Sequence, residues 1–302
     1  MELSGIILID KDKGMYSNRV VEKVRRLLKG VKVGHLGTLD PLCTGLLPLC
    51  IGRATRLSQI LMKSDKVYQT TLLLGIETNT FDIEGEIIGE KDFSSITLDK
   101  IKEDLKEYMG QIQQVPPYFS AKKFKGRPLY KYARAGEFIE LKPATVTIYS
   151  ITVLDFYDNE VQLEIHCSVG TYVRSLAHDL GKKLGCGACC KEIRRIKWKN
   201  YDESRALTLK DFCDSKDYQM HIIPLNEVLA GVLTFIELDD NEVIIFQKGK
   251  DFLFSQMRNR LQSNDTAGMD GAFYQVKNAA GALLGIFVKR GDYLHPHIVF
   301  KD

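Results

Sequence analysis

Between Val33 and Gln59 the chain reads VGHLGTLDPLCTGLLPLCIGRATRLSQ, and this stretch limits the possible folds more than any other. Its apolar run LLPLCIG reads as a central strand over Leu46–Ile51, interrupted at Pro48, that returns into the body of the protein. Asp40 is the only acid in the stretch, with His35 and Arg53 as the nearest bases on either side. Asp before Pro is a common turn signal, so Asp40 taken alone reads as a turn residue. His35 taken alone reads as a loop histidine. A carboxylate at the mouth of a buried strand is also well placed for chemistry, and the rest of the chain decides between the two.

The 302 residues, 44% hydrophobic and 27% charged, can bury a substantial core and suit one large domain plus a small one. No apolar run is long enough to span a bilayer. The N-terminus MELSGIILID carries acids and no basic leader segment, so no signal peptide is expected and a cytoplasmic location is. Seven scattered cysteines, mostly in apolar runs, suit reduced thiols. Cys186-x-x-Cys189-Cys190 is half a zinc motif without a second half, so no metal is expected. A net charge of +3 is too mild to name a partner, but its distribution is informative.

Gly5–Asp10, GIILID, reads as a buried strand. Ser17 or Asn18 can cap a helix with Val20, Val21, Val24, Leu27 and Leu28 at helical spacing, ended by Gly30. Val31–Val33 is a short strand and Arg53–Met62 a helix. Lys66–Leu74 alternates as a strand, Asp82-Ile-Glu-Gly-Glu is a turn, and Thr97–Met109 is an amphipathic helix closed by Gly110. Thr145–Phe156 and Glu160–Ser168 alternate as strands, and Gly170-Thr171 opens a helix. Leu207–Phe212 and Pro224–Leu229 are short helices. From about Phe235 only short β-segments follow (EVIIF, AFYQV, LLGIFV), which marks a separate small all-β unit.

Two windows are basic. Lys122, Lys123, Lys125, Arg127, Lys131 and Arg134 interleave with Tyr118, Phe119, Phe124, Tyr130 and Tyr132, with no acid before Glu137. Lys182–Lys199 holds seven Lys or Arg against Glu192 alone. Cations neutralise phosphates and rings offer faces to unstacked bases, so the two windows and the all-β tail together point to RNA.

Gly34-His35-Leu36-Gly37-Thr38-Leu39-Asp40-Pro41, followed by Thr44-Gly45-Leu46-Leu47-Pro48, resembles the signature of TruB-type tRNA pseudouridine-55 synthases. The resemblance continues through Ile7-Leu8-Ile9-Asp10-Lys11, Asp65-Lys66-x-Tyr68, Cys167-Ser168-x-Gly170-Thr171-Tyr172-Val173-Arg174, Leu184-Gly185-Cys186-Gly187-Ala188 and Ile193-Arg194-Arg195, over about residues 5 to 200. The chain departs from the usual pattern at Asp12 (proline), Cys43 (alanine), Val169 (lysine) and Ile193 (leucine). None of these removes a catalytic group.

The resemblance implies an α/β protein of the pseudouridine synthase fold, with a mixed, mostly antiparallel central sheet over 1–232 and an RNA-binding thumb at about 118–142. A small β-rich PUA-like domain follows at 235–302. It implies isomerisation of uridine to pseudouridine at position 55 of the tRNA T-loop, with Asp40 as nucleophile and Arg174 as its cationic partner. Tyr68 would stack on the target base, Tyr172 and Ile193 would line the uracil pocket, and His35 would fill the space left by the flipped nucleotide. Lys11 would be structural or phosphate-facing, and Lys182–Lys199 would add phosphate contacts. No cofactor is needed for a redox-neutral isomerisation. The expected partner is the T-arm of tRNA, with no membrane, and a monomer is expected. A guide-RNA-dependent synthase subunit, a non-catalytic tRNA-binding or folding protein, and a hydrolytic RNA glycosylase remain as alternatives.

Overall fold

The computed structural model describes residues 3–230, 232–261 and 268–300. The first residues of the segment read for a leader, 1–2, lie outside these, as do 231, 262–267 and 301–302 of the two expected domains. The body is built on one 10-stranded sheet. Its spine runs Leu207–Thr208, Gly5–Lys11, Thr44–Ile51, Ala188–Trp198, Lys66–Leu74, Glu160–Cys167, Ala144–Tyr157 and Gly110–Gln114. Only the pairings of Gly5–Lys11 with Leu207–Thr208 and of Thr44–Ile51 with Ala188–Trp198 are parallel, so the sheet is mixed and mostly antiparallel.

The continuous apolar reading of GIILID follows from burial on both faces. Ile7 and Ile9 face a core shared with the helices Ser17–Leu27, Leu98–Leu105 and Val173–Leu184. Ile6 and Leu8 face a second core with Leu57, Leu61 and Trp198. Thr44–Ile51 behaves alike, with Leu47, Leu49 and Ile51 on one side and Leu46 and Cys50 on the other. Pro48 does not interrupt this strand. On the edge away from Gly5–Lys11, Ala188–Trp198 pairs with Thr44 and Gly45, and Val33–His35 pairs with Leu49 to Ile51. Pro48 falls between these two partners, where a missing N–H breaks no ladder.

Elsewhere the structure corrects the reading. Ser17 begins its helix without capping it, because its hydroxyl is engaged by Leu39. Arg53–Met62 is a 3-10 turn, Gly52–Leu57, followed by a short α-helix, Ser58–Leu61. Leu207–Thr208 joins the sheet before the helix Leu209–Asp214 begins.

The C-terminal part has its own 5-stranded sheet, but it is not all β. EVIIF lies in the helix Asp240–Gln247, started by a capping box in which Asp239 and Glu242 each accept from the other's backbone N–H. Three branched residues in a row hide a helix whose end is set by its cap. The unit packs against the body: Ile286, Ile298 and Phe300 lie in the second core with Ile6, Leu8 and Trp198. Gln275 crosses the junction, donating to Leu229 O and Leu233 O at 3.1 and 2.6 Å.

Candidate active site

The loop after Val33–His35 is held from both sides of Asp40. Leu39 exchanges two hydrogen bonds with the Ser17 hydroxyl, from its N–H and to its carbonyl, both at 2.9 Å. Pro41 O accepts from Gly14 N at 2.7 Å and from Lys11 Nζ at 3.4 Å. Lys11 also donates to Asp12 O and Met15 O, so its charge faces carbonyls. Burial lowers the pKa of that ammonium, with Cys43 and Asp40 acting against the shift. Gly37 sits at φ +122° on the opposite side, where its carbonyl accepts from Arg195. The anchors leave one group free to project: the Asp40 carboxyl, 32% exposed.

That carboxyl meets Arg174, which is only 4% exposed in the first turn of Val173–Leu184. Arg174 Nη2 donates to Asp40 Oδ2 at 2.6 Å and to Phe119 O at 2.9 Å. Its Nη1 donates to Asp82 Oδ2 at 3.0 Å and to Thr80 O at 2.8 Å. A buried cation at a helix N-terminus is disfavoured twice, by desolvation and by the helix dipole. Burial does oppose its charge, but Asp40 and Asp82 raise its pKa above the usual value. Gln114 fixes the start of the helix by gripping the Tyr172 backbone with both ends of its amide, at 2.8 and 3.0 Å. Thr171, expected to open the helix, donates instead to Ser168 O.

A cleft of about 310 Å³ opens beside this pair. Asp40, Tyr68, Tyr172, Arg174 and Ile193 all line it, as do Lys66 and Arg195. Burial pushes the Tyr68 phenol up to about 12, against the pull of Arg195, so the ring is neutral near pH 7. Burial also raises the Tyr172 phenol, and it lowers Lys66 to about 8. His35 does not line this cleft. It borders a neighbouring hollow with Arg25 and Lys32, and Met62 forms part of both walls. Burial and then Arg195 lower the His35 pKa, so the imidazole is neutral at pH 7.

Four residues at or behind this cleft escaped the sequence reading. Asp82 read as a turn residue, and nothing local distinguishes a turn carboxylate that is buried against a distant arginine. Gln114 and Lys66 carried no role. Arg195 read as a phosphate contact but is 1% exposed, donating to Leu46 O at 2.6 Å and Gly37 O at 3.2 Å. Its position was deducible: side chains alternate along a strand, so if Ile193 faces the pocket, Arg195 does too. Arg194 points the other way, to Asp10 and Glu203.

The two basic windows fare differently. In Lys182–Lys199, Lys183 pairs with Glu107 and Lys191 with Glu160, while Lys199 Nζ donates to Val228 O. Most of that charge is therefore internal. The window at 118–142 forms a two-stranded ribbon, Lys123–Phe124 with Arg127–Pro128, and the helix Leu129–Arg134. Arg127 lies over Tyr132 at 4.3 Å and pairs with Glu137, but Lys122 reaches the cleft.

Residues 25–173 match the family model described as TruB family pseudouridylate synthase (N terminal domain). Residues 174–234 match that of the tRNA pseudouridylate synthase B C-terminal domain. The chain is 42% identical over 253 residues to tRNA pseudouridine synthase B of Aquifex aeolicus (strain VF5), covering 83% of this chain and 88% of that one. It is 43% identical over 233 residues to the protein of the same name from Aeromonas salmonicida (strain A449), covering 77% and 73%. Among solved structures, the archaeal box H/ACA sRNP Nop10-Cbf5 complex contains a similar chain with TM-score 0.73 and 25% identity, covering 98% of this chain and 86% of that one. An H/ACA RNP bound to a substrate RNA containing 2'-deoxyuridine also gives TM-score 0.73, at 23% identity, over 99% and 85%. That second likeness concerns the fold alone.

Proposed function

The chain belongs to the TruB family of pseudouridylate synthases, and from that premise we propose that it converts uridine 55 in the T-loop of tRNA to pseudouridine with Asp40 as the nucleophile. The reaction frees uracil from ribose C1′, turns it, and rejoins it through C5. Atoms and electrons balance within the substrate, so the chemistry calls for no redox partner. Breaking the C–N bond builds positive charge at C1′, which a carboxylate can stabilise or attack. The observation that carries the reading is the 2.6 Å pair of Asp40 with a buried arginine at the wall of a cleft that also holds Tyr68. Arg174 holds the carboxylate in place there, and a pocket of this size suits one flipped nucleoside.

In this reading Tyr68 stacks on the base and Ile193 and Tyr172 pack around it. His35, bordering the adjoining hollow, fills the gap left in the T-loop and recovers part of the unstacking cost, a few kcal/mol. Residues 1–232 form the catalytic domain, 118–142 the thumb on the T-arm, and 235–302 the PUA-like RNA-binding domain. The enzyme acts as a monomer in the cytoplasm. Among the described residues, no helix is long and apolar enough to cross a membrane.

Asp40→Asn keeps the shape of the side chain and removes its charge. Carbodiimide-stop primer extension on T-arm RNA should show no pseudouridine with this variant, while filter binding still shows tRNA retained. Modification that persisted in Asp40→Asn would refute the nucleophile. Wild-type chain active only with an added guide RNA, or releasing free uracil, would instead favour a guide-dependent subunit or a glycosylase.

A further inference from the structure

The loop between the strands Ile76–Thr78 and Ile87–Glu90 carries two of the four acceptors of Arg174, Thr80 O and Asp82 Oδ2. Between them stands Phe81, whose φ of +64° places a bulky L-residue in the left-handed region. Such a conformation persists only where its surroundings hold it. One hold is plain: the Phe81 ring lies flat on the His178 imidazole, with centroids 3.9 Å apart and planes 14° from parallel. His178 lies four residues beyond Arg174 on one helix, so both side chains emerge from the same face. From the other side, Cys190 N–H donates to Phe81 O at 3.0 Å and Ile83 N–H donates to Cys190 O at 2.9 Å.

The imidazole also faces Glu77 at 3.4 Å, with Lys182 a further turn along the helix. Burial holds its pKa below the usual value despite Glu77, so the stacked ring is neutral near pH 7. Neither ring lines the cleft. Arg174 and the 79–86 loop thus rest on a common support that the reaction itself does not touch.

We propose that Phe81 and His178 are positioning residues for the isomerisation: their stack locks the left-handed turn that aims Thr80 O and Asp82 at Arg174, and so fixes the guanidinium that meets Asp40. The inference rests on the reading of Asp40 and Arg174 given above. What His178 contributes is a flat neutral ring, so phenylalanine can replace it where alanine cannot.

The test compares single-turnover rates and T-arm RNA affinity for His178→Ala, His178→Phe and Phe81→Gly, with Asp40→Asn as reference. His178→Ala should slow turnover about tenfold with affinity held within about twofold, because the stack acts on the reacting geometry and not on RNA contacts. His178→Phe should return to within about twofold of wild type. Phe81→Gly relieves the backbone while deleting the ring, so it should still turn over slowly at temperatures where it is fully folded. A full-rate His178→Ala, a His178→Phe as slow as His178→Ala, or a rate loss that only tracks the unfolded fraction overturns the proposal. The failures are distinguishable. An active Asp40→Asn chain overturns both readings, whereas an inactive Asp40→Asn beside a full-rate His178→Ala overturns the positioning role alone.

Discussion

Arg174 binds its four acceptors through two nitrogens in one plane, an arrangement only a guanidinium provides. Lysine offers a single point of charge and cannot span two carboxylates and two carbonyls. Arg174→Met would leave Asp82, 8% exposed, without its cation, at a cost of about 3–5 kcal/mol to stability. Arg174→Lys should recover much of that melting temperature while recovering little pseudouridine formation. Equal recovery of both, measured by thermal melts and primer extension, would mean that Arg174 holds the fold and does not position Asp40 for the reaction. At this scale Asp40, Tyr68 and Arg174 were legible through their motifs. Asp82 was not, because Asp-x-Glu-Gly looks the same whether its first carboxylate meets water or an arginine 92 residues away.

Elements were legible where side-chain period alone decides them. GIILID and Lys66–Leu74 are strands as read, and Val173–Leu184 buries the face formed by Val173, Leu176, Ala177 and Leu180. They were misread where a neighbour decides. Pro48 sits in a gap between two partner strands, whereas EVIIF was misread through its three β-branched residues although the Asp239-x-x-Glu242 box before them is a local signal. The two basic windows show the same limit: one is largely paired off internally, whereas the other keeps Lys122 at the cleft and Lys123, next in the chain, exposed. If the 118–142 ribbon grips phosphates, Lys122→Ala with Lys123→Ala should weaken T-arm RNA binding. The slope of log Kd against log salt should fall by about one to two, with the rate at saturating RNA little changed. An unchanged slope would remove these lysines from the RNA interface.

Across the whole molecule, the C-terminal sheet and the body are joined by a common core. Trp198, the only tryptophan, lies in it with Ile298 and Phe300. Its fluorescence therefore reports on the junction. Ile298→Ala should cost about 2–4 kcal/mol, and tryptophan fluorescence and far-UV circular dichroism should still melt together at the lower temperature. A C-terminal transition that left the tryptophan signal unmoved would show the two parts to be independent.

By itself, the sequence determined what repeats or sits close together in the chain. It carried the doubly buried strands, the amphipathic helices, the Gly37–Pro41 motif that marks the family, and with them Asp40. The tertiary structure decided which charges are buried and what they meet. Arg174 reaches Asp40 across 134 positions, Arg195 enters the cleft wall, His35 turns to the neighbouring hollow, and Phe81 is held in a left-handed turn by a ring from another element. The physical reason is that periodicity belongs to one segment, whereas desolvation and charge pairing depend on what packs over a residue, and no local pattern records that.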